Sequence, residues 1–542
     1  MVVPGTLRRA KRTSWGEKRT YGAKVAYKRA TRVKRRTVTE ATTPSAADVV
    51  VIGSGIGGLT CAALAARYGF SVVVVESHTI PGGCAHSFER DGFMFDSGPS
   101  FFAGLGPDSK SNNALKQVLD LLDEKVDCAE YNGWKAYLPE GEYKCRNNLE
   151  AYEAELFKFG GESALTEWRR LDKIMAPLGK SSNSLSFANF RNDVFLPLTV
   201  MRSMSGFVSS GVFNNGPFDA MNMLDGPFSY LLDKANVQNK FLKNLMDLEC
   251  FVLSGMPASG TLSPEMAYMF QERHSGQSNL DYPIGGSRAI VDALLRGLEK
   301  HGGKLLLAKH VSEIIVQDGA AKGVMLSNGE KIEARKSVVS NATIWDTYSK
   351  LLSPSNVPPK VQPLVEAIPQ LDSFLHLHLG IDGTGLTDEM GIHHLVVNDW
   401  ECGVSAKRNV VNISIPTVLD KSLAPPGKHL VHAYTAANEP YEAWKGLDRR
   451  SQQYKEMKQQ SVECIWSALQ RVIPDVRERA DVRLIGTPLT HERFTRRSRG
   501  TYGPAIVAGK QSWPGAKTPI KSLLLCGDST FPGVGVPAVA AS

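Results

Sequence analysis

From residue 48 onward the chain alternates between short unbroken apolar runs and longer amphipathic stretches. Asp48–Ile52 is β-branched after its aspartate, and Ser71–Glu76 is nearly so. Runs this short, apolar at every position, predict strands buried on both faces. Between them, Gly53–Gly58 makes a turn, Leu59–Tyr68 reads as a helix rich in Ala and Leu, and Gly69 suits its C-cap. Ser87–Arg90 and Phe93–Phe95 predict a small hairpin closed by Asp96-Ser97-Gly98.

The pattern changes between Ser109 and Glu272, where mixed amphipathic stretches carry few strand signals. Ala114–Leu122 and Ala164–Met175 predict helices, and Phe187–Tyr230 predicts irregular chain or short helices with much apolar surface. Tyr282–Gly286 reads as a turn, followed by a helix over Ile290–His301. Strands are then expected at Lys304–Leu307, Val311–Gln317, Gly323–Leu326 and Lys331–Ala334, the last two joined by the hairpin signal Asn328-Gly329. Ser337–Asn341 reads as a further short strand. Alternation returns at Val411–Ile415 and His429–Tyr434, and Trp444–Ile473 predicts a long polar helix that Pro474 stops. Leu523–Cys526 is a last buried strand.

Charge separates the first 47 residues from the rest. The net charge is +8, yet residues 1–47 alone hold 13 Lys or Arg against 2 Glu, so the body is slightly acidic. The basic segment also carries 8 Thr and no apolar periodicity, a composition that suits an organelle transit segment. Nucleic-acid binding rests on that segment alone and is not expected of the body. No apolar run reaches the roughly 18 residues of a membrane span, which leaves attachment to a membrane surface open. Eight cysteines, none in a CxxC pair, suit buried free thiols rather than a dithiol or zinc centre.

The chemistry concentrates in two glycine-rich segments about 470 residues apart, Gly53-Ser54-Gly55-Ile56-Gly57-Gly58 and Gly527-Asp528 through Gly535-Val536. The first lies between a buried strand and a helix. Gly53 permits the tight turn, Gly55 lets the backbone approach a pyrophosphate, and Gly58 lets helix and sheet pack closely. The helix N-terminus turns free N–H groups toward the phosphates. Glu76, at the end of the second strand, is placed to accept hydrogen bonds from ribose hydroxyls, with Ser77 beside it. Gly82-Gly83-Cys84 lets a second stretch of backbone run past the pyrophosphate, which argues for FAD over a nicotinamide cofactor alone. In the second segment Asp528 is expected to accept from the ribityl chain or adjoining phosphate. Gly535-Val536 opens a helix whose positive end suits a reduced flavin. Val311, at the start of its strand, is expected to line the same cofactor.

In these segments and others the sequence resembles the carotenoid isomerase and phytoene desaturase-like flavoproteins over residues 48–542. The resemblance is carried by Gly53–Leu59, Ile80-Pro81-Gly82-Gly83, Glu89–Phe93 with Phe95-Asp96, Tyr282–Gly286, Arg499–Pro504 and Gly527–Val536. The stretch Gly82–Phe88 also looks like retinol saturases of the same superfamily. The resemblance implies an α/β fold: a discontinuous Rossmann-like FAD domain with an inserted α+β substrate domain, as in amine oxidases. We place the FAD domain at 48–108, 273–345 and 515–542, and the substrate domain at 109–272 and 346–514. It implies non-covalent FAD, active when reduced, an apolar tunnel for a C40 polyene, and work at a plastid membrane surface. The favoured reaction is cis–trans isomerisation without net redox change. Desaturation, saturation, hydration and a non-catalytic carrier role remain as alternatives.

No side chain has a compelled catalytic role. His86, directly after the Gly-Gly pair, is the one candidate for proton transfer. His376 and His378 would face one side of a strand, but two ligands make no metal site, so no metal is expected. Cys526 is badly placed for a covalent flavin link. In the resembled family the helix opened by Val536-Pro537-Ala538 runs further, whereas this sequence stops at Ser542. A shorter helix is expected to hold the cofactor less firmly.

Overall fold

The computed structural model describes residues 43–542 except 108, 110, 186–208 and 275–279. The basic segment over 1–42 and the first half of the expected irregular region from Phe187 lie outside these. Thr43–Ser542 forms one compact unit.

Two seven-stranded sheets organise it. In the first, the order is Val311–Gln317, Ala320–Leu326, Lys331–Ser340, Ala46–Ile52, Val72–Val75 and Lys304–Leu306, with Leu523–Leu525 also pairing to Lys331–Ser340. Ala46–Ile52 runs parallel to both of its neighbours. The Val72–Val75 run is buried at every position because both faces are covered. One face packs on helices Ile56–Arg67 and Ser287–Lys300, the other on Ile344, Trp345, Tyr348 and Leu351. This sheet takes its strands from three separate stretches of the chain, 46–75, 304–340 and 523–525.

The second sheet runs Ala480–Gly486, Ser373–Asp382, Lys428–Glu439, Val410–Ser414, His393–Val397, Trp134–Leu138 and Gly141–Cys145. Period-two alternation gives it two different faces. Leu375, Leu377, Leu379 and Ile381 pack under helix Gln452–Val472, while His376 and His378 turn the other way. Helices Leu149–Leu185, Lys240–Ser254 and Ser263–His274 build a separate apolar core beside it. Gly161, at φ 69°, kinks the first of these.

Several expectations need correcting. Cys128–Tyr131, Trp134–Leu138 and Gly141–Cys145 are strands in a region read as mixed amphipathic chain with few strand signals. Tyr282 lies in strand Leu280–Pro283 rather than in a turn. The separate strand at Ser337 is the end of Lys331–Ser340, in which Arg335 and Lys336 interrupt the apolar run. The helix expected from Trp444 starts at Gln452, and Trp444 is a buried turn residue held by an indole hydrogen bond to Glu439. All eight cysteines are free, but Cys84 and Cys402 are exposed rather than buried.

On strand His393–Val397, two adjacent histidines are buried. His393 bonds to the Ser414 hydroxyl at 2.9 Å and stacks on Phe101, centroids 4.0 Å apart. Burial pushes its pKa down to about 3 and that of His394 down to about 4. In the unfolded chain both titrate near 6.5. The unfolded state therefore binds more protons between these values, so stability is full above pH 6.5 and falls as pH drops through the window. Each histidine contributes about 1.4 kcal/mol per pH unit. Urea melts at pH 7 and pH 5 check this: His393→Gln/His394→Gln is expected to lose about 4 kcal/mol less than the unaltered protein between them.

Candidate cofactor site and cavity

The carboxyl ends of Ala46–Ile52, Val72–Val75 and Lys331–Ser340 meet the second glycine segment at one place. Gly53, Gly55, Ile56, Gly57, Glu76, Ser77, Gly82, Gly83, Cys84, Val311, Gly527, Asp528, Gly535 and Val536 all line a single cavity of about 2300 Å³. The two glycine segments touch there. A Cβ built on Gly57 would lie 3.0 Å from the backbone N and Cα of Gly527 and 3.0 Å from the Val539 carbonyl. One built on Gly83 (φ 59°) would lie 2.9 Å from Gly55 Cα.

Two fingerprint residues act without lining the cavity. Gly58 is there for packing, since a Cβ would sit 2.3 Å from the Gly53 carbonyl. Ser54 positions Glu76: its backbone N–H (2.8 Å) and hydroxyl (2.7 Å) both donate to Glu76 Oε2. The N–H of His78 donates to Oε1 at 2.7 Å. The Ser77 hydroxyl also donates to Oε1, at 3.4 Å, so the carboxylate is fixed at the strand end and a ribose hydroxyl would replace this longest of its bonds.

His86 is corrected as a catalytic candidate. It does not line the cavity. Its Nδ1 meets the Gly83 carbonyl at 2.7 Å and the Ser97 hydroxyl at 3.0 Å, and its ring lies against His78 and Phe88. Burial lowers its pKa. It braces the Gly82-Gly83 turn from behind.

Asn341 and Arg497 were missed by sequence reasoning. The Asn341 amide lies between the glycines: Cβ atoms built on Gly55 and Gly527 would meet its Nδ2 and Oδ1 at 2.6 and 2.5 Å. An Asn just past a buried strand, at the end where the glycine turn sits, was the available signal. Arg497 forms an ion pair with Asp528 and donates to the Thr501 and Tyr502 carbonyls at 3.0 and 3.1 Å. Burial disfavours its charge, but Asp528 outweighs this and holds it protonated. Cys526 is buried beside the site and absent from the cavity lining.

The donor set fits a dinucleotide cofactor. Backbone approaches bare of Cβ atoms suit a pyrophosphate, a fixed carboxylate suits ribose, and a second carboxylate stands across the cavity in Asp528. A family model described as flavin containing amine oxidoreductase matches residues 56–542. The chain belongs to the flavin-containing amine oxidoreductase family.

Among curated relatives, prolycopene isomerase 2, chloroplastic, from an Oncidium hybrid cultivar is 33% identical, covering 91% of this chain and 82% of its own. Prolycopene isomerase from Arabidopsis thaliana is 31% identical over 91% and 81%. All-trans-retinol 13,14-reductase from Danio rerio is 29% identical over 89% and 82%. Among solved structures, an oxidoreductase from Methanosarcina mazei superposes with a TM-score of 0.59 at 18% identity, covering 91% of this chain and 98% of its own. A putrescine oxidase gives 0.58 at 15% identity over 91% and 96%. The family's α/β flavin fold is thus shared across its length.

The cavity continues past the glycine segments into the helical core, where Phe251, Val252, Leu253, Met256, Leu262 and Met269 line it. Pockets for drug-sized ligands run to about 1,000 Å³. This cavity, at about 2300 Å³, is larger than that.

Proposed function

We propose that this protein is an FAD-dependent carotenoid isomerase that converts a poly-cis C40 polyene without net redox change. The observation that carries the reading is the single cavity lined both by the two glycine segments and by Phe251, Val252, Leu253 and Met256 of the helical core. The relatives named prolycopene isomerase support the substrate class. Their names also support a plastid location. Bound flavin supplies reversible electron or proton transfer, which lowers the barrier to rotation about a conjugated double bond. The chain's residues bind and exclude water: the glycine turns receive the phosphates, Glu76 the ribose and Asp528 the ribityl side. The apolar helices hold the polyene away from solvent.

A lipid-soluble substrate places the work at a membrane surface. Among the described residues no helix is long and apolar enough to cross a membrane. Helix Pro217–Asp225 contributes Leu224 to the cavity wall and exposes Phe218 and Met221, 75% and 61% accessible. That face is the proposed contact with lipid.

The test supplies the purified protein with poly-cis carotene in liposomes and FAD, with and without reductant. The expected product is an isomer of unchanged mass, formed only with reduced cofactor. A product heavier by two hydrogens would move the assignment to a polyene reductase, reductase being the word in the name of the Danio rerio relative. A flavin-loaded protein that turns over no polyene would make it a carrier. Within the cavity, Val252→Trp fills the apolar arm and leaves the glycine turns untouched. Turnover is expected to fall at least about tenfold with flavin content unchanged, read by isomer chromatography and visible absorbance.

A further inference from the structure

His376 and His378 project from one face of strand Ser373–Asp382, and the fold adds to them. In the antiparallel register His432, on Lys428–Glu439, stands directly opposite His378 and next to the pair containing His376. His376 Nδ1 and His432 Nε2 are 2.7 Å apart. One ligating atom from each of His376, His378 and His432 lies within 4.8 Å of the other two. Helix Pro488–Thr495 brings a fourth ring, His491, to 4.5 Å from His376 between centroids. Gly486, paired to His376 from the next strand, leaves room: a Cβ there would press on His376 at 3.3 Å.

The cluster is closed off from water and under-bonded. His376 and His432 are 1% and 2% exposed. His376 Nε2, His432 Nδ1 and His491 Nε2 are buried with no hydrogen-bond partner. The 2.7 Å contact engages one nitrogen of His376 and one of His432, so the second nitrogen of each ring is the unbonded one. His378 has the opposite feature, because its Nε2 meets the Asp96 carbonyl at 3.0 Å. A backbone carbonyl on one imidazole nitrogen fixes the tautomer and leaves the other as a lone pair, the usual support of a metal-bound histidine.

We propose that His376, His378 and His432, with His491 adjacent, bind one first-row transition-metal ion of the kind imidazole prefers, zinc or copper. Tetrahedral binding with bonds of about 2.0–2.1 Å sets nitrogens about 3.4 Å apart, so the 2.7 Å pair opens and the wider spacings, up to 4.8 Å, close on the ion. No water position is open in so buried a site, so the ion ties two strands of the second sheet together rather than activating water. The tie lies just behind the cavity wall. Tyr434 lines the cavity and stacks on His376, centroids 5.2 Å apart.

The test uses the untagged full chain with flavin bound. Samples are loaded with Zn(II), or with Cu(I) under anaerobic reductant, and passed through a column containing chelator. Metal per chain is then measured by mass spectrometry. The expected result in one arm is about one ion per chain, and at least about tenfold less in His432→Gln and His378→Gln at unchanged flavin absorbance. X-ray absorption at the retained metal's edge should show imidazole nitrogens only. Zinc or copper is assigned by which arm is retained. Less than about a tenth of an ion per chain in both arms, sulfur in the absorption spectrum, or full retention by the variants would each overturn the site. If the variants do not fold, stoichiometry and absorption on the unaltered protein decide alone.

Discussion

Gly57→Val is expected to yield a folded but colourless protein, with flavin content below about a tenth of normal and no turnover. Gly57 is where the two ends of the chain touch. A β-carbon there meets three backbone atoms at 3.0 Å, two from Gly527 and one from Val539. Backbone atoms of two anchored segments cannot step aside as a side-chain end can. Valine adds two further carbons to that contact and pushes the second glycine segment off the first. The cofactor needs both, because Glu76 and Asp528 stand on different segments of one cavity. Gly57→Ala is the graded control: its single carbon sits at tight but tolerable distances, so partial flavin content is expected. At Gly55 the obstacle is the Asn341 side-chain amide, 2.6 Å from a built Cβ, and that group can rotate. Gly55→Ala should therefore be rescued in part by Asn341→Ala, whereas no single partner substitution rescues Gly57→Val. Visible absorbance, scaled to protein after gel filtration, reads all four.

This contrast also shows what the sequence makes legible. Each glycine segment is local chemistry between a strand and a helix, so the fingerprint, Glu76 and the Gly82-Gly83 turn could be read from spacing. All of them, except Ser54 and Gly58 in their supporting positions, line the cavity. Contacts that depend on pairing across hundreds of residues were not legible. Asn341 reaches the glycines because Lys331–Ser340 pairs in parallel with Ala46–Ile52. His432 joins His378 through a register that only the folded sheet defines. The strands between Cys128 and Cys145 alternate too briefly, with Lys and Glu between aromatics, to stand out from an amphipathic helix. His86 was misjudged for a different reason. Sequence proximity to the Gly-Gly pair is real, but His86 caps the helical turn Gly83–Ala85 just before strand Ser87–Arg90, and there Gly83 and Ser97 take its Nδ1.

Arg497→Met is expected to lower stability by about 3–5 kcal/mol, because it strands the Asp528 carboxylate in a mostly buried position without its cation. The side chains of the pair are only 15% and 16% accessible, so solvent screens it little. Arg497 also ties down the chain through the Thr501 and Tyr502 carbonyls, and that chain runs on to Gly503. A Cβ on Gly503 would strike Val534 at 2.6 Å, so this loop packs directly on the second glycine segment. The Arg499–Pro504 motif and the Gly527–Val536 motif are therefore one structural unit held by a single guanidinium. Arg497→Lys keeps the charge but lacks the planar fork that reaches two carbonyls and a carboxylate at once, so an intermediate loss is expected. The double variant Arg497→Met/Asp528→Asn removes both charges and should regain most of the stability lost by the single one. It should not regain flavin, because Asp528 is the carboxylate assigned to the ribityl side. Urea melts and visible absorbance on the same samples separate these outcomes. Stability returning without colour would assign Asp528 to the cofactor and Arg497 to positioning it. Stability and colour returning together would show that Asp528 serves only the ion pair.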